Sequence, residues 1–199
     1  MGRGYLTGDF SENWNKAEFC LEKARELDDN DFEVHRLLAE VKLSQKNFKV
    51  AEKHARKCYK LVPNDPRVLS IYGEVLIRTG NLDAGLEALE RAYELDPIAP
   101  GKKNEDHRLS SLLLGNFMIR NRKACLEIIS KLDNIDPRSW LLTIKLCHDE
   151  EYKYKDESWF IHGINTFKKM DWIKEIQNFK LNNDGVTKAL TDFVKDLLS

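Results

Sequence analysis

The apolar residues of the chain recur with the period of an α-helix. Between positions 32 and 45 they lie three or four residues apart, which places them on one side of a helix; they are Val34, Leu37, Leu38, Val41 and Leu43. Asp31 precedes this segment and suits an N-cap, because its carboxylate can accept hydrogen bonds from the first free backbone amides. A turn at Lys46-Asn47 then leads into a second predicted helix over Phe48–Leu61, which ends before Pro63.

The same plan is repeated one unit further along the chain. Asp65 is the predicted N-cap, and Pro66 lies in the first turn, where its missing N–H leaves no hydrogen bond unmade. The helix continues to Gly80-Asn81, since glycine adopts the left-handed conformation of a helix C-cap at little steric cost. A return helix is predicted over 82–95, before Pro97.

These units are 34 residues apart, and several residue classes keep this spacing at once. Large, small and proline positions recur together: Trp14, Phe48 and Leu82; Ala17, Ala51 and Gly85; Ala24, Cys58 and Ala92; Leu27, Leu61 and Leu95; Leu38 and Tyr72; Ala39 and Gly73; Pro63 and Pro97. A fixed period of this length indicates a supersecondary unit stacked on copies of itself. The small residues allow two antiparallel helices to cross closely within a unit, and the large ones fill the space between units.

The pattern of large and small residues over 11–97 resembles the tetratricopeptide repeat. The resemblance implies an all-α fold, a right-handed superhelical stack of antiparallel helix pairs with a C-terminal helical cap. Segment 1–10 is short and glycine-rich, so the first repeat is predicted to keep only its second helix, through truncation or an unusual cap. Degenerate helix pairs follow over 98–169 after an elongated linker, and the helices over 170–199 are predicted to cover the terminal apolar face.

The whole chain also resembles the C-terminal repeat region of bacterial class III adenylate/guanylate cyclases and related transcriptional regulators. The places that carry this resemblance are Gly4-Tyr5-Leu6 with Trp14-Asn15-Lys16-Ala17 and Leu21-Glu22-Lys23-Ala24, then Asn81-Leu82-Asp83-Ala84-Gly85-Leu86-Glu87 with the linker after it, and the closing helix over 188–198. The chain contains no cyclase catalytic sequence. The resemblance therefore implies a regulatory or docking part of a bacterial signalling protein, and not the cyclase activity itself.

Composition narrows the classes of partner. The 199 residues are 42% hydrophobic, with 32 basic and 33 acidic side chains and a formal net charge of −1. This balance argues against nucleic acid or an anionic membrane as the main partner, because both require a basic surface. No apolar run approaches the ~18 residues of a membrane span, and no signal peptide opens the sequence, so we expect a cytoplasmic protein without membrane insertion.

The side chains that usually carry chemistry do not form a recognisable constellation. The five histidines are scattered over unrelated repeat positions, and the acidic turn at 28–31 lacks the ligand spacing of a calcium loop. The cysteines form no C-x-x-C pair and are predicted to be reduced core residues; they are Cys20, Cys58, Cys125 and Cys147. We therefore predict no catalytic residues, no metal site, no cofactor and no enzymatic activity in this chain.

The tetratricopeptide resemblance implies a binding groove, because the first helix of each pair lines the concave side in that family. The positions it places there are Glu33, Arg36, Glu40, Leu43 and Ser44 in one unit, and Arg67, Ser70, Glu74, Ile77 and Arg78 in the next. The arginines are candidates for carboxylates of a peptide, since guanidinium makes forked, charge-assisted hydrogen bonds. The alternative is a solvated face of mixed charge. Glu40 and Glu74 stand where chaperone-binding members carry Asn, so an acidic C-terminal peptide would be repelled.

Two tryptophans in the less regular part of the chain, Trp159 and Trp172, are candidate aromatic anchors for a partner on the condition that they are exposed. Taken together, the sequence predicts a non-catalytic scaffold that binds another protein or peptide, as the regulatory part of a cyclase-like signalling protein. Two alternatives stay open: a homodimerisation module, and a sensor whose irregular C-terminal half holds a small-molecule pocket.

Overall fold

The computed structural model describes residues 10–96, 102–179 and 181–198, and every regular element in these ranges is an α-helix. In chain order the helices are α1 (Phe10–Leu27), α2 (Phe32–Ser44), α3 (Phe48–Leu61), α4 (Pro66–Thr79), α5 (Leu82–Leu95), α6 (Lys102–Met118), α7 (Arg122–Ile129), α8 (Pro137–Asp149), α9 (Ser158–Phe167), α10 (Trp172–Asn178) and α11 (Asp184–Leu198). Consecutive helices pack as the pairs α2–α3, α4–α5 and α6–α7, and each pair packs on the next. The predicted all-α fold class is confirmed.

Local sequence explains where the helices begin and end. The Asp31 side chain accepts hydrogen bonds from the backbone amides of the first turn of α2, and Asp65 does the same for α4. Gly80 ends α4 in the left-handed conformation, with φ of 95°. Lys46 occupies the equivalent position 34 residues earlier and is also left-handed, at φ of 60°. A side chain at such a backbone angle costs about 1 kcal/mol, so the turn geometry outweighs the local preference of lysine.

Small residues allow the helices of a pair to cross closely, as the repeat pattern predicted. A Cβ atom added at Gly73 of α4 would lie 2.7 Å from the carbonyl oxygen of Gly85 and 2.8 Å from Cγ of Leu89, both in α5. Ala39 and Ala51 are fully buried at the equivalent crossing of α2 and α3. The close approach of the two backbones therefore fixes the position of one helix against its partner in the regular pairs α2–α3 and α4–α5.

The large repeat residues lie in the apolar clusters between the pairs. Phe48 and Tyr72 pack on a cluster formed by α2, α3 and α4, and Leu82 packs on a larger cluster that extends from α4 to α11. Tyr72 also stacks on Tyr59, with ring centroids 4.3 Å apart. These contacts are the ones that the large positions of the repeat predicted.

The C-terminal half contains an aromatic cluster around Trp140 of α8. Its ring stacks on Trp172 at a centroid distance of 5.5 Å and on Phe160 at 5.9 Å, and Trp159 joins through Phe160. Trp159 and Trp172 are each only 6% exposed. The prediction that these two tryptophans anchor a partner required exposure and is therefore wrong, because α8, α9 and α10 bury them against one another.

Other predictions shift or fall outside the described residues. Of the opening segment 1–10 only Phe10 is described, and residues 98–101 of the predicted linker, which spans 98–106, are not. The rest of that linker is helical, since α6 begins at Lys102. The predicted domain boundaries stay predictions. Among the described helices, none is long and apolar enough to cross a bilayer.

We expect Gly73→Ala to lower the free energy of unfolding by about 1–3 kcal/mol. The added methyl group meets backbone atoms of α5, which cannot move as a flexible side chain can. This cost outweighs the gain of about 1 kcal/mol that alanine brings to a helix interior. Urea unfolding followed by circular dichroism measures the change.

The matched control is Gly185→Ala in the first turn of α11, where the new Cβ would meet only the Asn183 side chain at 3.2 Å. We expect this second variant to unfold at the wild-type urea concentration or above it. Equal losses of stability in the two variants would show that the α4–α5 crossing is not the reason for glycine at position 73.

Candidate partner-binding groove

The first helices of the pairs form one continuous layer. Helix α2 contacts α4, α4 contacts α6, and α6 contacts α8. The second helices α3, α5 and α7 make no comparable contact with one another in the described parts of the chain. Since the first helices lie closer together, they form the concave side of the stack. All the residues predicted to line the binding groove are on α2 and α4 of this layer.

Arg36 of α2 is held by the carboxylate of Glu33, one turn earlier. Its Nε and Nη2 donate hydrogen bonds of 2.9 Å and 2.6 Å to the two oxygens, and its Nη1 lies 3.8 Å from Glu40. These hydrogen bonds lower the pKa of Glu33 and raise the pKa of Arg36. Both groups therefore stay charged, and the guanidinium is fixed in one orientation on the concave side.

Arg67 brings a second guanidinium to the same carboxylate from α4. It donates to Asp65 at 2.7 Å, its Nη1 lies 3.6 Å from Glu33, and its Cζ lies 5.8 Å from the centre of the Phe32 ring. Its side chain is 57% exposed, whereas that of Arg36 is 18% exposed. Two arginines from neighbouring repeats thus converge on Glu33, and Arg67 is the more accessible one.

Of the two serines predicted to line the groove, Ser70 has hydrogen-bond partners within the chain. Ser70 donates to the Pro66 carbonyl at 2.7 Å and accepts from Nε of Arg108 at 3.2 Å, so its hydroxyl helps to hold α6 against α4. Ser44 is half-buried at the end of α2. Contact of either serine with a partner stays a prediction.

Glu74 and Arg78 form a buried ion pair further along α4. Nη2 of Arg78 donates to the Glu74 carboxylate at 2.8 Å. Arg78 is 6% exposed and Glu74 is 7% exposed. Burial alone would raise the pKa of Glu74, but the electrostatic effect of the neighbouring Arg78, His107 and Arg138 outweighs it and holds the pKa at about 2. The carboxylate therefore stays ionised inside the protein.

The C-terminal segment of the chain covers this pair. Nη1 of Arg78 donates a hydrogen bond to the carbonyl of Phe179, just after α10. Residues 181–183 line a narrow cavity of about 60 Å³ together with Ile77 and Arg78. The prediction that Glu74 and Arg78 contact a partner is therefore corrected, since the chain itself occupies their part of the concave layer. The open part of the layer consists of α2 and the first half of α4.

Sequence reasoning missed several residues of this layer. Phe32 packs beside Arg67, and Asp65, which the sequence identified only as the N-cap of α4, also binds the Arg67 guanidinium. His107 of α6 lies 3.8 Å from Glu74, and Arg138 of α8 contributes to its field. The period of 34 gives no signal for Phe32, because its equivalent at the start of α4 is Pro66, a residue of a different class. No signal in the sequence brings α6 and α8 to Glu74, because the repeat is degenerate there.

Comparison with known proteins agrees with this geometry. The family described as anaphase-promoting complex (cyclosome) subunit 3 matches residues 11–92, which cover α1 to α5 but less than half of the chain. The crystal structure of MamA superposes with a TM-score of 0.61 at 16% identity, over 82% of this chain and 98% of that one. The structure of PilF from Pseudomonas aeruginosa gives a TM-score of 0.62 at 19% identity, over 93% and 90%.

The fold is a tetratricopeptide-type solenoid. At these identities the two structures establish the fold alone. The two matches extend over 82% and 93% of this chain, so the degenerate half of the chain takes part in the same architecture. No curated protein matches the chain by sequence.

Glu74→Gln tests the buried ion pair of the solenoid. At pH 7 we expect it to lower the free energy of unfolding by about 3–5 kcal/mol, because the Arg78 charge is left buried without its counterion. The folded-state pKa of Glu74, about 2, lies below the ordinary value of 4.5 for a glutamate. Its contribution is therefore fully present above pH 4.5 and is lost as the pH falls towards 2. Urea midpoints of wild type and variant should converge over that range.

Glu94→Gln is the matched control, because the Glu94 carboxylate pairs with Arg91 at 3.2 Å while remaining 66% exposed. We expect its urea midpoint to stay near the wild-type value, since exposed ion pairs contribute little. A Glu74→Gln deficit that stays constant from pH 7 to pH 2.5 would contradict the depressed pKa.

Proposed function

We propose that the chain is a non-catalytic docking module that binds a peptide segment of another protein in the open part of the concave layer. The observation that carries the proposal is the convergence of Arg36 and Arg67 on Glu33, at 2.6 Å and 3.6 Å, where no described segment of the chain covers the layer. A tetratricopeptide-type solenoid supports this role, since stacked helix pairs present extended surfaces to other proteins.

The charges of the open layer indicate the chemistry of the peptide. Two arginines, Arg36 and Arg67, stand among the three carboxylates of Glu33, Glu40 and Asp65. A strongly acidic peptide would meet those carboxylates and be repelled. A peptide carrying both signs can place a carboxylate on Arg67, the exposed guanidinium, and a basic side chain near Glu40, which is half-buried beside Arg36. We propose a ligand of this mixed-charge class.

A small-molecule function is less well supported by the cavities of the described residues. An open cleft of about 360 Å³ lies between α6, α8 and α11. Its charged residues are Arg120, Lys145 and Asp149: Lys145 donates a hydrogen bond to Asp149 within α8, and Arg120 Nη1 lies 3.7 Å from the same carboxylate. Because these charges already satisfy each other, the cleft offers a ligand few polar groups with which to fix its orientation.

The more specific predictions from the sequence are not part of this proposal. Neither the family nor the two structures above is described as a cyclase, so a regulatory role in a cyclase-like bacterial signalling protein stays a prediction from residue patterns. A cytoplasmic location and homodimerisation also stay predictions.

The groove is tested by selecting peptides from a random display library on the wild-type chain and titrating the best binder. We expect Arg67→Ala to weaken binding about three- to tenfold, the scale of one partly exposed charge contact of about 1 kcal/mol. Arg36→Ala should also weaken it, because Arg36 and Arg67 flank the same carboxylate. Isothermal titration calorimetry supplies the dissociation constants.

Arg91→Ala is the matched control, since the Arg91 side chain is 54% exposed on α5 and lies outside the concave layer. Its affinity for the selected peptide should equal that of wild type. The groove assignment fails if no peptide is enriched, or if Arg91→Ala weakens binding as much as Arg67→Ala does.

A further inference from the structure

One contact between the helices α2 and α3 differs in chemistry from its equivalent in the next pair. His35 of α2 and His54 of α3 stand 34 positions before Leu69 of α4 and Ala88 of α5. Leu69 and Ala88 are buried and belong to one apolar cluster. The repeat architecture thus accepts an apolar contact at this place, so the two imidazoles are not needed to pair the helices.

The two imidazoles are buried and joined by a hydrogen bond. His35 is 3% exposed, His54 is 6% exposed, and their Nδ1 atoms lie 2.9 Å apart. Nε2 of His35 lies 2.8 Å from the carbonyl oxygen of Asp29, in the turn before α2. Because a carbonyl oxygen can only accept a hydrogen bond, Nε2 of His35 carries a proton. Both ring nitrogens of His35 are therefore engaged.

These hydrogen bonds limit the number of protons that the contact can hold. When both rings are neutral, Nδ1 of His35 accepts the hydrogen bond that Nδ1 of His54 donates. One added proton leaves a single N–H between the two Nδ1 atoms, so the hydrogen bond survives. When both rings are protonated, each Nδ1 carries a proton. Two N–H groups and two positive charges then face each other across 2.9 Å.

The groups around His54 oppose a second proton. They come from three helices: Glu22 and Arg25 of α1, His35 of α2 and Lys53 of α3. The Glu22 carboxylate already accepts a hydrogen bond of 2.7 Å from Nε of Arg25. Burial of the ring, followed by the charge of His35, lowers the pKa of His54 from its ordinary value of 6.5 to about 4.

The carboxylates on the side of His35 are also matched with cations. The Asp29 carboxylate lies 3.5 Å from Nε2 of His35, and it pairs with Lys57 at 3.3 Å and with Arg25 at 3.5 Å. On the side of α4, the Glu33 carboxylate is held by one arginine of α2 and one of α4. These carboxylates are therefore not left over to neutralise a second proton on the contact.

We propose that the His35–His54 contact is a pH-sensitive switch, which opens the α2–α3 pair when both imidazoles are protonated. The core from α4 to α11 stays folded, because a separate apolar cluster holds it together. Helix α2 carries Glu33 and Arg36, so opening removes these side chains from the concave layer. This consequence for peptide binding rests on the proposed function, whereas the opening itself does not.

The direction of the pH dependence follows from the pKa of His54. Its value in the closed pair, about 4, lies below the ordinary value of 6.5. Between these two values the opened pair binds more protons than the closed pair does. The contact therefore contributes fully above pH 6.5, and its contribution is lost as the pH falls towards 4. From pH 7 to pH 4.5 we expect the equilibrium constant for opening to rise about fiftyfold.

Hydrogen exchange of the full chain, followed by mass spectrometry, measures this opening. From pH 7 to pH 4.5 we expect the protection factors of amides in α2 and α3 to fall about fiftyfold, and those in α8 to change less than about threefold. His54→Gln should remove most of the fall in α2 and α3. An amide at position 54 can donate or accept the hydrogen bond but does not ionise.

His162→Gln is the matched control, because His162 of α9 is exposed. It should show the same fall as wild type. The double variant His35→Leu with His54→Ala carries the residues of the second pair, so it guards against a packing defect in His54→Gln. We expect it to keep the wild-type protection at pH 7 and to lose little of it at pH 4.5.

Three results would overturn the inference. They are constant protection of α2 and α3 in wild type, an equal fall in the double variant, and an equal fall in α8, which would mean that the whole chain unfolds. No peptide enters these measurements. A failed peptide selection therefore counts against the groove alone, and constant protection counts against the switch alone.

Discussion

The close crossing of the two helices within each pair is the constraint on which the rest of the structure depends. Where Gly73 and Gly85 meet, the backbones touch almost directly, so the two helices form one rigid unit. Side chains too large for the crossing, such as Phe48 and Leu82, must then lie in the seams between units. With small residues at the crossings and large residues in the seams, the first helices of successive pairs contact one another and form one layer. Arg36 and Arg67 both lie on this layer.

The C-terminal helices set the length of that surface. They bury an ion pair, Glu74–Arg78, and supply the Phe179 carbonyl as a further partner for the arginine. A buried pair of this kind contributes little net stability compared with apolar residues, but removing one member is costly. We interpret the pair as a contact that fixes where the C-terminal segment lies on α4. The consequence for binding is that only the N-terminal part of the layer stays open.

Charge governs recognition in the groove proposed above. The groups that the concave layer offers a peptide are the guanidinium groups of Arg36, which is half-buried, and Arg67, which is exposed. Salt screens exposed charges more than half-buried ones, so the contribution of Arg67 would depend on ionic strength more than that of Arg36 does.

The sequence by itself determined the helices from α2 to α5, their caps and the positions of the crossings, because these depend on near neighbours and on a period that each repeat confirms. Only the tertiary structure decided which side chains are accessible. Trp159 and Trp172 are buried where α8, α9 and α10 pack together. Arg78 donates a hydrogen bond to Phe179, 101 positions away, and Nδ1 of His35 lies 2.9 Å from Nδ1 of His54 between α2 and α3. Burial is set by segments that are distant along the chain, and the degenerate repeats leave no periodic signal of where those segments fold back.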